Sequence, residues 1–148
     1  MMNVLFLCTG NSARSILSEA ILNRLGEGEF QAFSAGSQPV GRVNPGAIEL
    51  LTTLGYPVDT LRSKSWDEYA APDAPVMTQI ITVCNNAAGE SCPVWPGHPA
   101  TLHWDIKDPA GVGETNEARR AAFQAAYDDL EARIQSFVQT KRSEKDDV

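Results

Sequence analysis

Apolar residues along this 148-residue chain fall into two alternating rhythms. Met2 to Leu7 has the length and composition of a buried strand, and Ile16, Leu17, Ala20, Ile21 and Leu25 then recur at helical spacing. The pattern predicts a helix over about residues 13–25, ended by Gly26, with Gly28 loosening the link to a second strand from Phe30 to Ala35. After a turn through Gly36-Ser37-Gln38-Pro39, Asn44-Pro45 opens another helix with proline at its first position, running through Ile48, Leu51 and Leu54 to Gly55. Residues 61–68 are ambiguous, since Ser63 or Ser65 could cap a short helix holding Trp66 and Tyr69. Past the break at Ala71-Pro72-Asp73-Ala74-Pro75, residues 79–83 are the most strand-like run after the first. Gly89, Pro93, Pro96, Gly97 and Pro99 interrupt every pattern in residues 85–99, which predicts a long irregular loop, and loops of that length usually serve function. A short last strand is expected over residues 101–104 and another loop over 105–113. A helix over about residues 116–140 follows, with Phe123, Leu130, Ile134, Phe137 and Val138 on one face. Residues 141–148 are expected to form a charged, frayed tail beyond a single domain of residues 1–140.

Strands alternating with helices imply an α/β domain, a parallel sheet with helices on both faces. Sites in such sheets lie beyond the carboxyl ends of the strands, where Cys8, Cys84 and the segment after Trp104 all fall. A hydrophobic fraction of 43% suits one buried core, and the apolar runs are too short to span a bilayer. With a net charge of −7 and no basic stripe, general nucleic-acid binding is excluded, so any anion needs a local device. Three cysteines and an N-terminus without the form of a secretion signal predict a reducing, cytoplasmic setting.

That local device is Cys8-Thr9-Gly10-Asn11-Ser12-Ala13-Arg14-Ser15, at the predicted strand-to-helix turn. Successive amides from Thr9 to Arg14 can curl into a nest, and the helix that follows adds the positive end of its dipole, which makes a socket for a tetrahedral oxyanion. Gly10 and Asn11 are the residues best able to take the positive φ such a curl demands. Arg14 can fork two oxygens of the anion. At the floor of the socket, amide dipoles, Arg14 and the Ser15 hydroxyl would favour the thiolate of Cys8, a nucleophile beneath the anion's central atom.

With its place near the N-terminus, this motif resembles the low-molecular-weight protein tyrosine phosphatase superfamily, and most closely its thioredoxin-coupled arsenate reductase family. The phosphatase branch usually has a further cysteine before the arginine, where Ala13 stands here. The resemblance implies a four-stranded flavodoxin-like sheet and reduction of arsenate to arsenite, with phosphate or sulfate as competing anions. It also implies a thioredoxin or glutaredoxin as electron donor and no organic or metal cofactor.

Reduction of As(V) to As(III) takes two electrons, which two thiols deliver by becoming one disulfide. The family places two later cysteines at a strand end and in the succeeding loop, and Cys84 and Cys92 match them here. The implied relay has Cys84 attack arsenylated Cys8, and Cys92 then attack Cys84 and carry the disulfide outward. The superfamily also sets an aspartate directly before proline above the socket as general acid or base, matched by Asp108-Pro109, with Asp105 the nearby competitor. Phosphatases usually follow that pair with tyrosine, and Ala110 stands here. Some reductases of the family hold a potassium ion beside the loop. Asn11, Glu19 and Ser34 match three of its ligands, whereas the aspartate expected near Trp66 is out of register.

Cys84, Cys92, His98 and His103 could together ligate zinc, but their wide intervals match no tight Cys-x2-Cys knuckle, so no metal is assigned. Trp66, Trp95 and Trp104 read as packing residues or loop anchors. Two alternatives stay open beside the reductase: a tyrosine phosphatase using the same socket, and a non-enzymatic oxyanion-binding or thiol-sensing protein.

Overall fold

A computed structural model describes residues 1–83, 99–109 and 115–146. Its framework is a four-stranded sheet of β1 (Met2–Leu7), β2 (Phe30–Ala35), β3 (Gln79–Thr82) and β4 (Ala100–His103), in the order β2-β1-β3-β4, with every pairing parallel. That order is the flavodoxin-like one. The helices are α1 (Arg14–Leu25), α2 (Pro45–Thr53), α3 (Asp67–Ala70) and α4 (Asn116–Asp146). Among the described residues, none is long and apolar enough to cross a membrane.

β1 is central, and Val4, Leu5, Phe6 and Leu7 are all at 0% exposure, as a parallel strand covered on both faces should be. Its alternation divides the core. Val4, Phe6 and Cys8 join the cluster built with α1 and α4, while Leu5 and Leu7 join a smaller one with Ala35, Tyr69, Met77 and Ile80. On the larger side, Trp104 packs its ring 6.2 Å from Phe6 and 6.3 Å from Phe137, and Phe137 lies 5.9 Å from Phe30. Trp104 is thus a packing residue, and Trp66 packs against the smaller cluster.

Local signals set most boundaries. Gly26 ends α1 by donating to the Leu22 carbonyl, and the Asn44 side chain accepts from Gly46 at 2.8 Å, with Pro45 at the first position of α2. Ser65 accepts from the Asp67 amide at 3.1 Å, which selects it over Ser63 as the side chain that starts α3, and Trp66 precedes that helix rather than lying in it.

One expected boundary is corrected. α4 runs past residue 140 to Asp146, where the exposed Arg142 guanidinium grips both carboxylate oxygens of Glu29 at 2.8 to 3.2 Å. A partner 113 residues away holds a turn that composition alone would let fray.

Gly36, just after β2, ties the sheet to the loop that follows β1. Its amide donates to the Lys64 carbonyl and its carbonyl accepts from Trp66, both at 2.9 Å. A Cβ on Gly36 would stand 2.7 Å from the Cys8 carbonyl oxygen and would also press on that of Thr9, both backbone atoms that cannot rotate away. Gly36→Ala is therefore expected to cost about 1–3 kcal/mol of stability by overpacking, read as a lower urea midpoint with an unchanged m value.

Candidate active site

Cys8 ends the central strand, 6% exposed, its amide continuing the ladder to the Ala35 carbonyl at 3.2 Å. The next residues turn through a loop whose carbonyls are fastened from outside. Gln38 donates to Thr9 O at 2.9 Å, Val40 and the Ser63 hydroxyl both donate to Gly10 O at 3.1 Å, and Asn44 donates to Ser12 O at 2.8 Å. In a planar trans peptide the following N–H points the opposite way. Turning these carbonyls outward therefore turns the amides of Gly10, Asn11 and Ala13 inward. Among the described residues the amides of Gly10, Asn11, Ser12 and Ala13 have no hydrogen-bond acceptor, and Ala13, just before α1, gives the helix no side-chain cap. Inward amides leading into a helix N-terminus form the kind of concavity that can hold an anion.

Asn11 is the hinge of this loop. It alone among the described non-glycine residues has positive φ, at 46°, and it is fully buried. Its carboxamide works in both directions, donating to the Ser15 hydroxyl at 2.8 Å and accepting from the Lys64 amide at 2.9 Å. Gly10, expected to share the positive φ, does not. The two bonds to the Asn11 side chain hold the left-handed turn there, and a Cβ on Gly10 would meet Val40 at 3.4 Å.

Arg14, the first residue of α1, is 15% exposed. Its Nη1 donates to the Ile106 carbonyl at 2.9 Å and its Nη2 lies 3.6 Å from the Asp108 carboxylate. Its Nε is buried without a hydrogen-bond partner among the described residues. A buried guanidinium N–H left unmatched is costly, and here it belongs to the side chain whose other nitrogens are anchored toward the Asp108 segment. Asp108 is 52% exposed and Pro109 behind it is buried. Asp105 is exposed, and the carboxylate that meets Arg14 is that of Asp108.

Beside the loop lies a buried polar cluster. The Ser34 hydroxyl donates to Glu19 Oε1 at 2.8 Å, and the Lys64 ammonium donates to Arg62 O at 2.9 Å and to Ser34 Oγ at 3.5 Å. The same ammonium lies 3.8 Å from Glu19 Oε1, with the two side chains 5% and 13% exposed. Burial raises the Glu19 pKa, opposed by Lys64, and burial lowers that of Lys64, opposed by Glu19. Asn11, Glu19 and Ser34, the three residues matched to potassium ligands, do not fit that ion here. The Asn11 side-chain oxygen is taken by the Lys64 amide, and a cation drawing on Glu19 and Ser34 would meet an ammonium already beside both oxygens. Lys64 carried no signal in the sequence, because a lysine between two serines reads as a solvated side chain and its partner Glu19 is distant along the chain.

Cys84, Cys92, His98 and Trp95 lie outside the described residues, as does Ala110. His103, the remaining member of the zinc set, has its Nδ1 2.6 Å from the Thr82 hydroxyl. Among the described residues no three His, Cys, Asp or Glu side chains gather as a metal site would require. The Val83 amide donates to Leu7 O at 2.9 Å, so β3 ends alongside the residue that precedes Cys8.

Comparison with known proteins agrees with this geometry. The low molecular weight phosphotyrosine protein phosphatase family matches residues 3–147. The arsenate reductase of Bacillus subtilis is 32% identical over 137 residues, covering 93% of this chain and 95% of that one. The crystal structure of arsenate reductase from Archaeoglobus fulgidus superimposes with a TM-score of 0.72 at 29% identity, covering 92% of this chain and 98% of that one. A thioredoxin-dependent arsenate reductase from Corynebacterium glutamicum shares the fold, with a TM-score of 0.68 at 23% identity over 95% of this chain and 63% of that one. The chain therefore belongs to the low molecular weight phosphotyrosine protein phosphatase family, in the arsenate reductase group of that family.

Proposed function

We propose that this protein is a cytoplasmic arsenate reductase in which Cys8 is the nucleophile and the loop from Thr9 to Arg14 is the oxyanion socket. The observation that carries the reading is the loop itself, which follows the central strand: carbonyls fastened outward, amides turned inward and an Arg14 Nε without a hydrogen-bond partner among the described residues. The relatives named arsenate reductase support arsenic rather than a phosphate ester as the anion's centre.

The chemistry balances with the residues available. The Cys8 thiolate attacks As(V), an oxygen leaves as water with a proton from Asp108, and an S–As bond forms. The Cys84 thiolate then attacks the Cys8 sulfur. The S–As bond breaks, its electron pair stays on arsenic, and arsenite leaves a Cys8–Cys84 disulfide. Cys92 attacks Cys84 and frees the Cys8 thiolate. A dithiol protein, thioredoxin or glutaredoxin, reduces the resulting Cys84–Cys92 disulfide.

The bond from Val83 to Leu7 supports the second step, because neighbouring strands lie about 4.8 Å apart and a disulfide needs Cα atoms about 4.4–6.8 Å apart. Asn11 supports Ser15, whose hydroxyl accepts from the carboxamide at 2.8 Å and so keeps its own proton to donate. Phosphate and sulfate, of the same shape and charge, would compete for the socket.

A second reading has its own support: the ion pair between Arg14 and Asp108 would serve phosphate-ester hydrolysis equally well, and it needs only Cys8. The cysteine variants separate the two. Cys84→Ser and Cys92→Ser are each expected to abolish multiple-turnover arsenite production with a thioredoxin or glutaredoxin system. Aryl phosphate hydrolysis that persists in both, with no arsenate reduction in the parent, would identify a phosphatase instead. Oxyanion binding with neither turnover would leave a binding or sensing protein. Asp108→Asn is expected to lower kcat by about 10²–10⁴ with little change in arsenate KM, measured by steady-state arsenite release.

A further inference from the structure

We infer that the Lys64 ammonium is the built-in cation of this oxyanion loop: it pins the clamp formed by residues 62–66 against Asn11 and Gly10, and makes anion binding independent of potassium. The inference rests on the socket reading above and not on the cysteine relay.

The clamp is continuous. Ser63 Oγ donates to Gly10 O at 3.1 Å while accepting from Gly41, the Lys64 amide donates to Asn11 Oδ1, and Lys64 and Trp66 bracket Gly36 with a pair of backbone bonds. Gly36 and Ser65 form a parallel bridge. What holds this irregular segment inward is the side chain of Lys64, which turns back over its own backbone to donate to Arg62 O and ends at Glu19 and Ser34, on α1 and β2. The loop's hinge, the first helix and the second strand are thereby joined through one ammonium.

The other ionisable groups facing the pair are accounted for. Arg62 and Glu68 are bound to each other at 2.6 Å near the surface, and the buried phenol of Tyr69 is pushed up to about 12, so it stays neutral. Glu19 therefore has Lys64 as its buried counter-charge, and a lone buried charge would remain if either were removed alone. A metal cation at the same oxygens would add a second positive charge beside the first.

The test uses the full chain, with phosphate as the probe, so that it reads the socket without requiring reductase activity. For the parent, the phosphate Kd measured by calorimetry is expected to change less than about twofold when potassium chloride replaces choline chloride at constant ionic strength. Lys64→Met is expected to weaken phosphate binding about tenfold. It should raise arsenate KM more than it lowers kcat, and added ethylammonium should restore part of the lost binding to Lys64→Ala. Should the single variants fail to fold, the double variant Glu19→Gln/Lys64→Met leaves no isolated charge, and it too is expected to bind phosphate about tenfold less tightly.

Parent binding that tightens severalfold with potassium would overturn the inference. So would a folded Lys64→Met or double variant that binds phosphate as the parent does while only its melting temperature falls. Failure of arsenate reduction alongside intact, potassium-independent phosphate binding would count against the relay and leave the role of Lys64 standing.

Discussion

The structure depends on peptide groups of one loop being held one way round. Left alone, the turn after β1 would present its carbonyls as readily as its amides, and a concavity lined by oxygen would repel an anion. Four donors from residues 38, 40, 44 and 63 capture the outward oxygens, and Asn11 accepts the left-handed conformation because its carboxamide is bonded at both ends. A positive φ on a non-glycine residue persists only where surroundings over-determine it. The proposed anion socket is therefore a product of segments far along the chain, bent toward the end of the central strand.

The strand ladder makes that bend possible. The pairing of β1 with β2 brings Gly36 against the carbonyls of Cys8 and Thr9, and the absence of a side chain there lets residues 36–44 pass close enough to donate. The pairing of β1 with β3 brings Val83 to Leu7, so the end of β3 lies one strand over from the end of β1, next to which Cys8 stands. Burial of β1 on both faces fixes this register, since a slip of one residue would exchange Val4 and Phe6 with Leu5 and Leu7 between two unlike cores.

Much of this was legible from residue order because it is local. The apolar run of β1, the helical spacing of α1, the Asn44-Pro45 start of α2 and the motif from Cys8 to Ser15 are short-range patterns, and each appears where its pattern implies. What could not be read is what depends on distant partners. Lys64 looks like any surface lysine until Glu19 and Ser34 are seen around it. The grip of Ile106 on Arg14 involves a main-chain carbonyl, which has no sequence signature. The extension of α4 to Asp146 comes with the grip of Arg142 on Glu29, far away along the chain, and positive φ falls on Asn11 without Gly10 because glycine permits that conformation without requiring it.

The hold of Arg14 on the Ile106 carbonyl has a mechanical consequence. The guanidinium that would clasp the anion and the stretch bearing the carboxyl two residues further on are yoked together. Both attachments of the 106–108 stretch to the start of α1 pass through one side chain, so replacing Arg14 would release the carbonyl and the carboxylate together.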